Sequence, residues 1–204
     1  YSYLDGNTAS EVLTNLDEDI RDKHVSSFTP KEIAKLFIEN LESDDATDVI
    51  SVLNDKKRAE VISNIEDQEL AKDIVHLLGF REGTAGALMG KELVKVHESW
   101  SVKQCVVEMR KQAKDLDHIY TIYVINDKEV LLGRLSLKKL LTTASSTKIA
   151  DIYSTGLKTV KTNTPSEEVA SIMEKYDLVA LPVIDDLGRL NGRITIDDVV
   201  DVIR

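Results

Sequence analysis

Between residues 8 and 78, apolar side chains recur at intervals of three and four, in short runs separated by polar punctuation. Ile33, Leu36, Phe37 and Leu41 form one stripe, and Ala46, Val49, Ile50 and Leu53 a second. Ala59, Ile62 and Ile65 form a third, and Leu70, Ile74, Leu77 and Leu78 a fourth. That spacing lines one face of an α-helix. It predicts helices over Glu11–Leu16, Pro30–Leu41, Asp44–Leu53, Lys56–Ile65 and Glu69–Leu78, with a further one near Ile20–Ser26. Thr29 ahead of Pro30 and Ser43 ahead of Asp44 read as helix-capping residues, and Gly79 reads as a stop. Elements this short, joined by turns of two or three residues, cannot each bury a face alone, so they are expected to stack as a small helical superhelix.

After Leu88 the period shortens toward two. Val94–Val96 reads as a strand, Val102–Arg110 as a helix and Ile119–Ile125 as a strongly β-prone run; after a turn at Asn126-Asp127, Val130–Leu135 reads as a return strand leading to a helix from Leu137. The same order follows again: a strand starting at Thr159-Val160, a helix over Ser166–Tyr176, strands Val179–Ile184 and Leu190–Ile194 around the turn Asp185–Gly188, and a last helix over Asp197–Ile203. Gly133 and Ser136 stand to Gly192 and Thr195 at one constant offset, which marks an internal β-α-β-β-α repeat. The expected fold is therefore α+β: an N-terminal helical domain over 1–87, then repeats over 88–148 and 149–204.

Composition narrows the function. The 204 residues hold 36 acidic and 26 basic side chains, net −10, and the whole excess lies in residues 1–87 while residues 88–204 balance. That sign repels phosphate backbones and argues against a nucleic-acid partner. No apolar run is long enough to cross a bilayer and no signal peptide is present. The chain begins with Tyr rather than Met and reads as a cytoplasmic piece of something longer. The single cysteine, Cys105, shares the apolar side of a helix with Val102, Val106 and Met109 and reads as a core thiol. His24, His76, His97 and His118 fall on different elements, and there is neither a P-loop nor a zinc-ligand spacing, so catalysis finds no support.

Carboxylates are concentrated near the C-terminus. Asp177, Asp185, Asp186, Asp197, Asp198 and Asp201 are answered only by Arg189 and Arg193. Asp198 and Asp201 share a helix face, and two carboxylates about 5 Å apart repel by roughly 3 kcal/mol at an effective dielectric near 20 unless a cation intervenes. Acids at a helix start account for Asp197 and Asp198 through the helix dipole but leave Asp201 unexplained. Asp45 and Asp48 repeat the same three-residue spacing in the helical domain, where a solvated face is the plainer reading.

Gly133-Arg-Leu-Ser136 and Gly192-Arg-Ile-Thr195, the latter after Leu181-Pro-Val-Ile-Asp185, resemble tandem CBS motifs. The acidic superhelix, the Thr84–Met89 junction, Ile119-Tyr-Thr-Ile-Tyr123, Lys175-Tyr-Asp177 and Thr195–Ile203 extend the likeness over nearly the whole chain to the cytosolic region of MgtE-type magnesium transporter-channels. One departure is Glu82-Gly83-Thr84-Ala85-Gly86-Ala87, where the family usually reads Glu-Asp-Thr-Ala-Gly-Gly. The Thr84–Ala87 stretch itself reads as a hinge or interdomain linker.

The resemblance implies a regulatory role in which Mg²⁺ ions between the helical domain and the second CBS motif close a transport gate at high cytosolic Mg²⁺. By motif match it implies Asp177, Asp198 and Asp201 as ligands, with Asp45 and Asp48 from the superhelix. Hard carboxylate oxygens with retained waters suit Mg²⁺. It also implies an adenine-nucleotide site, such as for ATP, using Ser136 and Thr195 with Lys138 and Lys139 near phosphates. Lys139 stands where the ribose-binding Asp of the motif belongs, and an ammonium cannot accept a hydroxyl's hydrogen bond. A homodimer through the CBS pair, a membrane pore on the same polypeptide and a place at the cytoplasmic face of the cell membrane are further implications. Two other readings stay open: an adenine-nucleotide-sensing CBS module of another enzyme or transporter, and an acidic helical scaffold that docks a basic protein.

Overall fold

The computed structural model describes residues 5–14, 16–116 and 118–203, and the chain divides into two units that meet in sequence between Arg81 and Glu82. The first unit is all helical: α1 (Gly6–Thr14), α2 (Glu18–Ser26), α3 (Pro30–Leu36), α4 (Ser43–Ser51), α5 (Asp55–Asn64) and α6 (Gln68–Leu77). Leu13, Val25, Ile33, Phe37, Ile50, Val61 and Ile74 from all six helices and their connections meet in one core.

Local chemistry sets the helix starts. Thr29 and Glu32 form a reciprocal capping box, with Glu32 N–H donating to Thr29 Oγ1 at 3.3 Å and Thr29 N–H donating to Glu32 Oε2 at 2.8 Å. Asn54 caps α5 and Asp67 caps α6 through side-chain oxygens. Three expectations are corrected here. Helix α1 begins five residues before its expected start at Glu11, because Asp5 Oδ1 accepts from Thr8 N–H at 2.9 Å and starts it. Ser43 is the first helical residue of α4 rather than its cap, with Glu42 in the capping position. The predicted long helix over Pro30–Leu41 breaks at Phe37 into α3 and a 3₁₀ turn, Ile38–Asn40. The buried Ser10 hydroxyl sits 3.1 Å from Leu36 O and 3.0 Å from Phe37 O, and Asn40 Nδ2 donates to Lys35 O, so these carbonyls find partners outside the helix.

The second unit opens with a short helix, α7 (Ala85–Leu88), followed by β1 (Val94–His97), α8 (Val102–Gln112), β2 (Ile122–Ile125), β3 (Leu131–Leu135) and α9 (Leu137–Thr142). The repeat follows as β4 (Val160–Lys161), α10 (Ser166–Lys175), β5 (Ala180–Ile184), β6 (Leu190–Thr195) and α11 (Ile196–Ile203). Each repeat builds a three-stranded sheet: β1 is parallel and β3 antiparallel to β2, and β4 is parallel and β6 antiparallel to β5. Even the irregularities coincide. Val124 pairs with Gly133 before a register shift, and Val183 pairs with Gly192 before the same shift.

The repeats are stitched together by segments outside these strands. Ser154, in the connection between the repeats, pairs with Arg134 of β3, and Gly90, ahead of β1, pairs with Arg193 of β6. The two hairpin loops also meet, with Leu131 N–H donating to Gly188 O and Leu190 N–H to Glu129 O, both at 3.0 Å.

Two sequence expectations change in this unit. The stretch Thr84–Ala87 is no hinge: Ala85 and Gly86 donate to Thr164 O and Thr162 O at 2.8 Å, and Thr84 and Ala85 are buried. Backbone pairing with the second repeat holds it. Gly83 beside it has φ +72°, a conformation that an Asp at this place would adopt only with strain. The β-prone run from Ile119 becomes strand only at Ile122, where pairing with Val94 and Leu135 starts. Residues 119–121 have no strand partner among the described residues and line a cavity instead.

Candidate functional site

Helix α11 starts at a crowded carboxylate pair. Thr195 N–H donates to Asp198 Oδ2 at 2.6 Å, and the Thr195 hydroxyl lies 2.9 Å from that same oxygen and 2.5 Å from Asp197 Oδ1. A hydroxyl has one proton and cannot donate to both carboxylates at once. The hydroxyl therefore serves one carboxylate at a time, and Asp197, which is exposed, takes its remaining hydrogen bonds from water. Burial pushes the Asp198 carboxyl up to about 7; the neighbouring Asp197 charge adds to the rise, while the Thr195 hydrogen bonds and the Arg193 charge oppose it. The oxygen-only donor set and its charge fit a hard divalent cation such as Mg²⁺.

Asp177 is exposed at the end of α10 in the left-handed conformation, φ 50°, with its N–H donating to Glu174 O. Two residues on, Val179 O accepts from Ile196 N–H at 3.2 Å, which sets the turn carrying Asp177 beside the start of the helix carrying Asp198. The backbone of Asp201 lies on α11; its side chain falls outside the described residues. Asp45 and Asp48 are both exposed on α4, opposite the face that buries Ala46, Val49 and Ile50. The other two aspartates of the C-terminal group have turn duties. Asp185 Oδ1 accepts from Leu187 and Arg189 N–H, and Asp186 pairs with Lys161 at 2.8 Å.

The first repeat carries a cavity of about 460 Å³. Ile119, Tyr120 and Leu137 form its apolar side, and Arg134, Ser136 and Ser154 are polar groups in its wall. Ser136, expected at a nucleotide site, is there. Lys138 and Lys139 are exposed on α9 just after the lining residue Leu137, and do not themselves line the cavity. Thr195 is buried, its hydroxyl committed to the two aspartates of the second repeat. Arg134 and Ser154 escaped the sequence reading. Arg134 stood inside the Gly-x-x-Ser motif as an unassigned residue, and nothing in the pattern joins Ser154 to it. Cys105 is fully buried and its thiol is pushed up to about 11 by burial, as a core thiol should be.

A helical domain followed by two stitched β-α-β-β-α repeats, with a cavity in one and a carboxylate pair in the other, defines an N-terminal helical domain joined to a CBS pair. Residues 1–83 match the MgtE intracellular N domain, and residues 85–146 and 149–204 match CBS domains. The chain belongs to the MgtE family and comprises its cytosolic N domain and CBS pair.

It is 36% identical over 162 residues to the magnesium transporter MgtE of Thermus thermophilus, a match that covers 78% of this chain and 36% of the relative's length. The fold is also similar to the crystal structure of the soluble part of a magnesium transporter, with TM-score 0.85 and 29% identity, covering all of this chain and 79% of that one. A third match is the cytosolic domain of the Mg²⁺ channel MgtE in complex with ATP, with TM-score 0.75 and 32% identity, covering 98% of this chain and 86% of that one. Among the described residues, no helix is long and apolar enough to cross a membrane.

Proposed function

We propose that this chain is the Mg²⁺-sensing regulatory region of a magnesium transporter or channel, working at the cytoplasmic face of the membrane beside a pore on the same polypeptide. Mg²⁺ bridges the acidic helical unit, through Asp45 and Asp48, to the second repeat, through Asp177, Asp198 and Asp201, and so closes the gate when cytosolic Mg²⁺ is high. The observation that carries the reading is the convergence of Asp197 and Asp198 on one Thr195 hydroxyl, which leaves negative charge that a divalent cation would satisfy. Without the cation, the excess negative charge of residues 1–87 repels these aspartates and favours separation.

The test is a Mg²⁺ titration of the radius of gyration for the wild type, Asp198→Asn, Asp201→Asn and the exposed control Glu60→Gln. Compaction at millimolar Mg²⁺ is expected, with midpoints moved upward for both aspartate variants and unmoved for the control. Four identical midpoints would remove these aspartates from the mechanism.

A second reading concerns the first repeat. Its cavity, together with the ATP complex of a similar cytosolic domain, favours an adenine nucleotide as an additional regulatory ligand. Association as a homodimer is supported by Leu137 and Leu141 on α9 and Ile196 and Val200 on α11, which occupy equivalent places in the two repeats and are all exposed.

A further inference from the structure

The two repeats treat one position oppositely. In the second, Asp198 stands three residues after Thr195 and folds back to within 2.6 Å of the Thr195 N–H. In the first, the residue three after Ser136 is Lys139, so the carboxylate that would stand at the rim beside Ser136 is replaced by an ammonium. Among the described residues lining the cavity there is no carboxylate, while Arg134 brings a positive charge. Neither the Arg134 guanidinium nor the Ser136 hydroxyl has a side-chain partner among the described residues; the backbone of Arg134 lies in β3, opposite Tyr123 of β2, and bonds Ser154 on its other side. Lys138 and Lys139 follow on α9. In a protein of net charge −10, this is a basic cavity rim with hydroxyl donors inside and an apolar side of Ile119, Tyr120 and Leu137.

A vicinal sugar diol is best held by a carboxylate, which accepts from both hydroxyls, whereas guanidinium, ammonium and serine hydroxyl groups donate to phosphate oxygens. We propose that the first-repeat cavity takes its ligand through phosphate groups and leaves the sugar hydroxyls unread, so that it selects a polyphosphate chain on a flat apolar base and does not distinguish ribose from deoxyribose. The proposal rests on the reading of this cavity as a nucleotide site and adds which part of the nucleotide is recognised. The base would lie against Ile119, Tyr120 and Leu137, and the phosphates against Arg134 and Ser136, with the exposed α9 lysines beyond the lining adding positive charge nearby.

Calorimetric titrations of the whole chain in EDTA with ATP, 2′-deoxy-ATP, ADP, AMP, adenosine and inorganic tripolyphosphate test it. ATP and 2′-deoxy-ATP should bind within about threefold of one another, since no charged sugar contact is lost, and affinity should fall in the order ATP, ADP, AMP, adenosine. Arg134→Gln should weaken ATP by about tenfold and leave adenosine unchanged, the loss of one charge-assisted contact. Lys139→Asp, which restores the carboxylate, should create a preference for ATP over 2′-deoxy-ATP of about fivefold. Its circular dichroism and that of Arg134→Gln should match the wild type.

A wild-type preference for ATP over 2′-deoxy-ATP of about tenfold or more would overturn the proposal and leave the nucleotide reading standing. So would adenosine binding as tightly as ATP. Arg134-dependent binding of tripolyphosphate without binding of any nucleotide would uphold phosphate recognition and remove the nucleotide reading. No binding by any of the six compounds would overturn both.

Discussion

Gly192 lies under the backbone of Gly90, and a Cβ on Gly192 would stand 2.6 Å from Gly90 O and 2.9 Å from the Met89 sulfur. The same approach occurs in the other repeat, where a Cβ on Gly133 would collide with Ser154 O. The glycine of each Gly-x-x-[Ser/Thr] motif is therefore a seat for a crossing segment.

Gly192→Ala should destabilise the second unit by about 1–3 kcal/mol, because backbone rather than a flexible side chain must move. Gly83→Ala serves as a comparison, since its Cβ meets nothing within 4 Å and its cost comes only from φ +72°. Thermal unfolding followed by circular dichroism measures both. A Gly192→Ala protein as stable as the wild type would mean that the crossing segment is not held.

The Asp198 carboxyl, pushed up to about 7 from 3.8, ties stability to pH. The folded state binds this proton more tightly than the unfolded chain does. Its contribution is therefore full below pH 3.8 and is lost as pH rises toward 7, a change on the order of a few kcal/mol across that window. In metal-free buffer, urea midpoints should fall from pH 5 to pH 8 more steeply for the wild type than for Asp198→Asn, and Mg²⁺ should restore the wild type at pH 8 by favouring the ionised carboxylate. Parallel pH profiles for the two proteins would contradict this.

Ser10 is 1% exposed, and its hydroxyl lies close to Gly6 O, Leu36 O and Phe37 O. Ser10→Ala removes the one proton these carbonyls share, while Phe37 O keeps the Asn40 N–H and Leu36 O keeps Asn40 Nδ2, and should cost the helical unit about 1 kcal/mol. Hydrogen exchange should show the loss concentrated around residues 36–41. An unchanged exchange pattern would show that water replaces the hydroxyl.

Leu141 is 71% exposed and Val200 38%. If the α9 and α11 faces meet a second copy of the chain, Leu141→Lys combined with Val200→Lys should convert a dimer to a monomer in light scattering without lowering the melting temperature of the isolated fold. A wild type that is monomeric at high concentration would end the homodimer reading.

Much of this protein was legible in its sequence because the signals are local. A stripe at three and four names a helix without reference to anything distant, Thr29 and Glu32 announce their own capping box, and one constant offset from Gly133 to Gly192 declares the repeat. The aspartates near residue 198 and the hydroxyl of Ser136 were likewise visible, since charge and motif spacing are written along the chain.

Tertiary structure alone decided the rest, wherever a group's partner is remote in sequence. Ser10 ends α3 from 26 residues away. Ser154 and Gly90 complete sheets whose strands lie in other segments, and Thr84–Ala87 docks where its small, polar-poor composition spoke of a linker. The β-prone Ile119–Thr121 has no strand partner among the described residues and came to line a cavity with Arg134 and Ser154 instead. Propensity is a property of a residue, but a hydrogen-bond partner and a cavity wall belong to the folded chain, and no single stretch of sequence contains both sides.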